Sequence, residues 1–165
     1  MSLDNRPLYT GGCQCGAVRF RIEGALGRAS ICHCRMCQKA FGAFYAPLVG
    51  VEAERLAWTR GSLSHFRSSD AVSRGFCSAC GTPLTYEAPD GLSLAIGAFD
   101  DPSAIAPVIQ FGTEARIGYV DRLHELPARD TMEGEDGEDA PAFLASFVSY
   151  QHPDHDTDLD WKPKP

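Results

Sequence analysis

Seven cysteines in three tight groups constrain this chain more than any other feature: Cys13-x-Cys15, Cys32-x-Cys34-x-x-Cys37 and Cys77-x-x-Cys80. An odd number cannot all close into intramolecular disulfides. Pairs separated by a single residue, such as Cys13/Cys15 and Cys32/Cys34, form loops too short for an unstrained bridge. Clustered thiols are instead the preferred ligands of a soft, tetrahedral ion such as zinc. Glycine follows the second cysteine in both outer groups, as Gly16 and Gly81. It allows a positive φ and lets local amides face the sulfurs. The central group has no such glycine. The outer groups therefore pair as one closed site of Cys13, Cys15, Cys77 and Cys80, a structural role. Cys32, Cys34 and Cys37 remain as three ligands around an open position, the pattern of an ion that handles a substrate.

Other readings of the same residues stay open. Cys34-x-x-Cys37 or Cys77-x-x-Cys80 is also the spacing of a redox pair, although neither lies in a βαβ context. His33 is an alternative fourth ligand of the central site; as a neighbour of two ligands it is otherwise expected in the surroundings of the site or at the surface.

The chain around the cysteines reads as mainly β. Residues 17–23 alternate, with Val18, Phe20 and Ile22 on one side and Arg19, Arg21 and Glu23 on the other, the period of a half-buried strand. Ala43–Val51, Arg55–Trp58, Ser62–Arg67, Val72–Phe76, Pro83–Glu87 and Leu92–Ala98 repeat the signal between glycine- and proline-bearing turns. A meander of short antiparallel strands is expected, with few short helices: one or two turns over Met36–Phe41, a turn at Ser103–Ile105, and a helix or last strand over Pro141–Val148.

Length and charge bound the rest. The 165 residues suit one domain; residues 5–129 read as the zinc-binding unit and 130–165 as an acidic extension, partly packed around 141–150. Residues 130–160 hold ten acids and no Lys or Arg, within a net charge of -7. The stretch 130–140 reads as a mobile acidic loop, and His152 and His155 as parts of a disordered acidic end. No basic field favours nucleic acid or anionic membranes, and no apolar run approaches a membrane span. With no stretch of signal-peptide type at the start, the expected compartment is the reducing cytoplasm.

Three segments carry a family resemblance: Gly-Gly-Cys-Gln-Cys-Gly-Ala-Val-Arg-Phe at 11–20, Cys-His-Cys-Arg-Met-Cys-Gln-Lys-Ala-Phe-Gly-Ala at 32–43 and Phe-Cys-Ser-Ala-Cys-Gly-Thr-Pro-Leu at 76–84. Together with Gly-Ala-Phe-Asp-Asp-Pro at 97–102, they resemble the glutathione-dependent formaldehyde-activating enzyme family, which includes the centromere protein V-like proteins. The likeness runs over roughly residues 9–125. It implies a β-tent fold of packed antiparallel sheets around zinc-binding knuckles, with two Zn²⁺ sites per chain. Cys13, Cys15, Cys77 and Cys80 would hold the structural zinc, and Cys32, Cys34 and Cys37 the catalytic one. The implied activity is that of a carbon-sulfur lyase run toward synthesis, joining glutathione and formaldehyde into S-(hydroxymethyl)glutathione. Past residue 106 the family often has a His-Ile pair and then a tryptophan; this chain has Pro107-Val108-Ile109-Gln110-Phe111 and Ile117-Gly118-Tyr119.

Three thiolates on a dication leave a net charge of -1, a poor generator of hydroxide but a suitable holder of a further thiolate kept nucleophilic near neutral pH. The expected partners are a small-molecule thiol of glutathione type and a small aldehyde. Arg35 and Lys39 are candidates to hold the carboxylates of a peptide-like thiol, and Phe41, Phe44 and Tyr45 to wall the pocket. Since thiol addition to a small aldehyde is already facile, two other classes stand beside the enzyme: a zinc protein that carries a thiol adduct without forming it, and a zinc-stabilised interaction module.

Overall fold

The computed structural model describes residues 6–132 and 141–162. Its β-strands are β1 (Leu8–Gly12), β2 (Arg19–Glu23), β3 (Ala29–Cys32), β4 (Ala46–Val51), β5 (Leu56–Arg60), β6 (Ser64–Arg67), β7 (Ser73–Phe76), β8 (Thr85–Ala88), β9 (Gly91–Ala95) and β10 (Ile109–Phe111). One α-helix, α1 (Arg35–Phe41), follows β3, and the remaining helical segments are short 3-10 turns. The protein is mainly β, and among the described residues no helix is long and apolar enough to cross a membrane.

The strands form two sheets, one ordered β1-β2-β5 and the other β10-β3-β4-β9-β8-β7-β6. This is not a simple meander. β4 pairs with β9 rather than with β5, and β10 lies parallel to β3 with Ile109 opposite Ser30 and Phe111 opposite Cys32. The composition of β4 explains its central place: Ala46, Leu48, Val49 and Val51 are all buried, so both of its faces need cover.

The core follows from the alternation in β2. Val18, Phe20 and Ile22 are buried, and Phe20 meets Phe99 and Trp58 edge-on at centroid distances of 5.1 and 5.9 Å. Burying one such side chain contributes about 1.5–3 kcal/mol. Arg19 departs from the alternation. Expected to face solvent with Arg21 and Glu23, it is 3% exposed. Its Nη1 and Nη2 donate to Asp100 at 2.7 and 2.6 Å, and Nη2 also to Asp156 at 2.7 Å. The carboxylates come from distant chain segments, and their pairing offsets the cost of burying the guanidinium.

Asp156 belongs to a C-terminal strap that corrects another expectation. Instead of a disordered end, residues 152–161 pack on the first cysteine turn. His152 is buried; its amide donates to the Gln14 carbonyl at 2.7 Å and its ring stacks edge-on with Trp161 at 4.6 Å. Arg60 clamps the strap, with Nη2 donating to the carbonyls of Thr157 and Asp158 at 2.8 and 2.6 Å. His155 is exposed. Ala142–Ala145 forms a 3-10 turn that leaves Phe143 and Phe147 exposed. Most of the expected acidic loop, residues 133–140, lies outside the described residues.

Candidate metal centre

The two outer cysteine pairs meet. Cys13 and Cys15 sit in the turn between β1 and β2, and Cys77 and Cys80 in the turn after β7. Both turns are built alike: the Gly16 amide donates to the Cys13 carbonyl at 3.0 Å and the Gly81 amide to the Cys77 carbonyl at 2.8 Å. Both glycines have the positive φ their place demands, +73° and +79°. The four sulfurs lie within 4.8 Å of one another. Cys13 and Cys15 are separated by 3.6 Å, and Cys15 and Cys77 by 3.9 Å. A tetrahedral zinc with sulfur ligands at about 2.3 Å sets its sulfurs about 3.8 Å apart, so the donor set and spacing fit that ion.

Electrostatics divide the four thiols. Burial pushes Cys13 up to about 12. Burial opposes ionisation of Cys80 as well, but the Thr82 hydroxyl at 3.1 Å and nearby amides outweigh it and bring Cys80 down to about 6. A bound dication would ionise the rest.

The central triplet is assembled locally. Cys32 ends β3, Cys34 is the N-cap of α1 and Cys37 lies in its first turn. The Cys37 amide donates to the Cys34 sulfur at 3.4 Å, so the same sulfur caps the helix and faces its partners. Their sulfurs also lie within 4.8 Å of one another. Among the described residues, no further His, Cys, Asp or Glu joins this group. Burial drives Cys32 up to about 12, whereas the Cys37 amide and neighbouring thiols overcome burial at Cys34 and hold it below the usual thiol value. All seven cysteines are free thiols.

His33 is neither at the surface nor in the cluster. It is 1% exposed; its Nε2 meets Gln110 Oε1 at 2.9 Å and its amide donates to the Phe111 carbonyl at 2.8 Å. Successive residues of an extended chain point to opposite sides, which turns the imidazole away from the sulfurs that flank it. It fastens β10 over the triplet instead. Gln38, also buried, donates from Nε2 to the carbonyls of His33 and Ala115 at 2.6 and 3.0 Å. Gly112 closes this cover with φ +62°; a Cβ there would stand 2.7 Å from the Cys34 nitrogen.

The other candidates separate. Arg35, Lys39 and Phe44 line one shallow depression of about 290 Å³ along the outside of α1, and Arg35 Nη1 donates to Gln38 Oε1. Phe41 lines a different cleft of about 280 Å³ with Phe66, Arg74, Phe76 and Pro83. Tyr45 packs edge-on against His33 at 5.5 Å.

Sequence reasoning missed Arg74. This β7 residue is 3% exposed and donates from Nη2 to the Cys37 sulfur at 3.2 Å. Its position inside an otherwise uncharged strand was the available signal, but nothing local indicates a sulfur partner 37 positions away.

A model of the family described as glutathione-dependent formaldehyde-activating enzyme matches residues 8–115, a span that takes in all seven cysteines. Among solved structures, a Rhodobacter sphaeroides protein aligns with a TM-score of 0.48 at 21% identity, covering 61% of this chain and 98% of that chain.

Proposed function

The chain belongs to the glutathione-dependent formaldehyde-activating enzyme family, and on that premise we propose that it is a zinc-dependent carbon-sulfur lyase joining a small-molecule thiol of glutathione type to a small aldehyde. The observation that carries this reading is the contrast between the clusters: four convergent sulfurs in one, and three in the other with Cys32 and Cys34 only half-buried. Four sulfurs complete a tetrahedron; three leave it a corner for a substrate.

Zinc bound by Cys32, Cys34 and Cys37 would supply the positive charge that keeps an arriving thiol deprotonated near neutral pH. The protein's own part is to hold the triplet and shelter it. The α1 N-terminus fixes Cys34, Arg74 neutralises charge on Cys37, and β10 with Gly112 covers the Cys34 side. In the synthetic direction, sulfur bonds to the carbonyl carbon, the carbonyl π pair moves to oxygen, and the thiol proton ends on that oxygen. The lyase direction breaks the same sulfur-carbon bond and returns the proton to sulfur. Thiols held ready for a metal are the form a reducing compartment maintains, and a cytoplasmic location belongs to this reading.

The test is a titration of cobalt-substituted protein with glutathione and several other biological thiols, paired with hydroxymethyl-thiol formation from formaldehyde. The expected outcome is a thiol-dependent change in the cobalt spectrum and a rate above the uncatalysed one, both lost in Cys34→Ser. Thiol binding without acceleration would replace the enzyme by a carrier. No thiol-dependent change at all would leave the zinc-stabilised interaction module.

A further inference from the structure

The Arg74 side chain has capacity that the fold does not use. Nη2 donates to the Cys37 sulfur at 3.2 Å, Nε donates to Ser68 Oγ at 3.1 Å, and the guanidinium lies over the Tyr86 ring at 5.1 Å. Nη1 is buried and has no hydrogen-bond partner among the described residues. None of the ion pairs among the described residues involves Arg74. A buried charged donor with an unmade bond is costly, and an anionic ligand is one group that can complete the pairing.

Arg74 also lines the cleft of about 280 Å³ between α1 and β7, where it is the one charged residue. Ala40, Phe41, Phe66, Phe76 and Pro83 make the walls largely apolar. A site with apolar walls and a single cation matches a ligand with an apolar body and one anionic group. A guanidinium is a rigid planar fork, so an acceptor on Nη1 is held a few ångströms from the sulfur that Nη2 contacts.

We propose that this cleft is the carboxylate subsite for the thiol received by the central triplet, and that the preferred thiol is a short mercaptocarboxylate bearing an apolar substituent. The carboxylate accepts from Arg74 Nη1, and the substituent lies against Phe41 and Phe66. The proposal rests on the thiol-binding reading above and narrows it: sulfur and carboxylate must be only a few bonds apart, and the rest of the ligand apolar. Arg74 is then a specificity-determining residue, tying substrate choice to the metal-binding sulfurs through one side chain.

Visible titration of cobalt-substituted protein with 2-benzyl-3-mercaptopropanoate, its carboxamide, 2-mercaptoethanol and glutathione tests this. The acid is expected to bind at least tenfold more tightly than the amide, and Arg74→Gln is expected to shrink that ratio below threefold by weakening the acid alone. Should Arg74→Gln fail to hold cobalt, Phe66→Glu decides, because it puts a competing carboxylate in the cleft; both ligands lose the Phe66 contact, but the acid should weaken more, bringing the acid-to-amide ratio below threefold. Equal affinity of acid and amide for the unaltered protein overturns the subsite while leaving thiol binding intact. Silence from all four thiols overturns both.

Discussion

Gly112 shows how narrow the tolerances are around the triplet. At φ +62° it occupies a backbone region costly for other residues, and a Cβ would press on the Cys34 nitrogen at 2.7 Å. Gly112→Ala should therefore destabilise the protein by about 1–3 kcal/mol and weaken metal retention at Cys32, Cys34 and Cys37, leaving the outer cluster unaffected. Chemical denaturation with metal analysis checks both; an unchanged midpoint and full metal content would show that the cover can shift without consequence. The cysteines themselves were legible because ligand spacing is a local pattern. Arg74, Gln110 and Gly112 were not, because each acts on a residue far away in sequence and no local period encodes that meeting. His33 was half legible: its adjacency to two ligands argued against coordination, but its burial depends on Gln110.

Elements divide along similar lines. β2 and β4 to β9 were readable from alternation and turn residues, and α1 from the run after Cys34. β1, β3 and β10 were not: β1 ends in Gly11 and Gly12, which read as turn residues, β3 runs into the cysteine triplet, and β10 offers only three residues of alternation. The C-terminal strap was hidden for a different reason: its composition is that of a solvated tail, but Arg19 and Arg60 supply countercharge that composition alone does not locate. That packing has a pH consequence. Burial, with Arg19 and Arg60 close by, holds His152 below its ordinary value of 6.5. The docked strap thus favours neutral imidazole, whereas the released strap protonates at the ordinary value. Docking is fully stable above about pH 6.5 and weakens as pH falls below it. Acidification from about pH 7.5 to 5.5 should increase proteolytic cleavage of the strap and change Trp161 fluorescence. His152→Ala should remove the pH dependence; a strap equally protected across the range would contradict this account.

At the scale of the molecule, the two clusters do different mechanical work. The outer one joins the β1–β2 turn of the three-stranded sheet to the end of β7 in the other sheet, so an ion there ties the sheets together. The central one sits between β3 and α1, within one sheet and its helix. Cys77→Ser should lose one metal equivalent and about 4 kcal/mol, within reach of metal loss as a mechanism, lowering Tm by roughly 8–16 °C. Cys34→Ser should lose the other equivalent with a much smaller shift. Metal analysis with thermal melts distinguishes the two, and a larger drop for Cys34→Ser would reverse the assignment of roles.

The parallel pairing of β10 with β3 also governs how the molecule comes into being. A nascent chain completes the triplet at Cys37, yet its roof arrives only with Phe111 and Gly112. At ordinary rates of synthesis the interval lasts roughly 4–15 s. Throughout it the triplet lacks that cover, which is when an ion can enter most freely and when an oxidant does most harm.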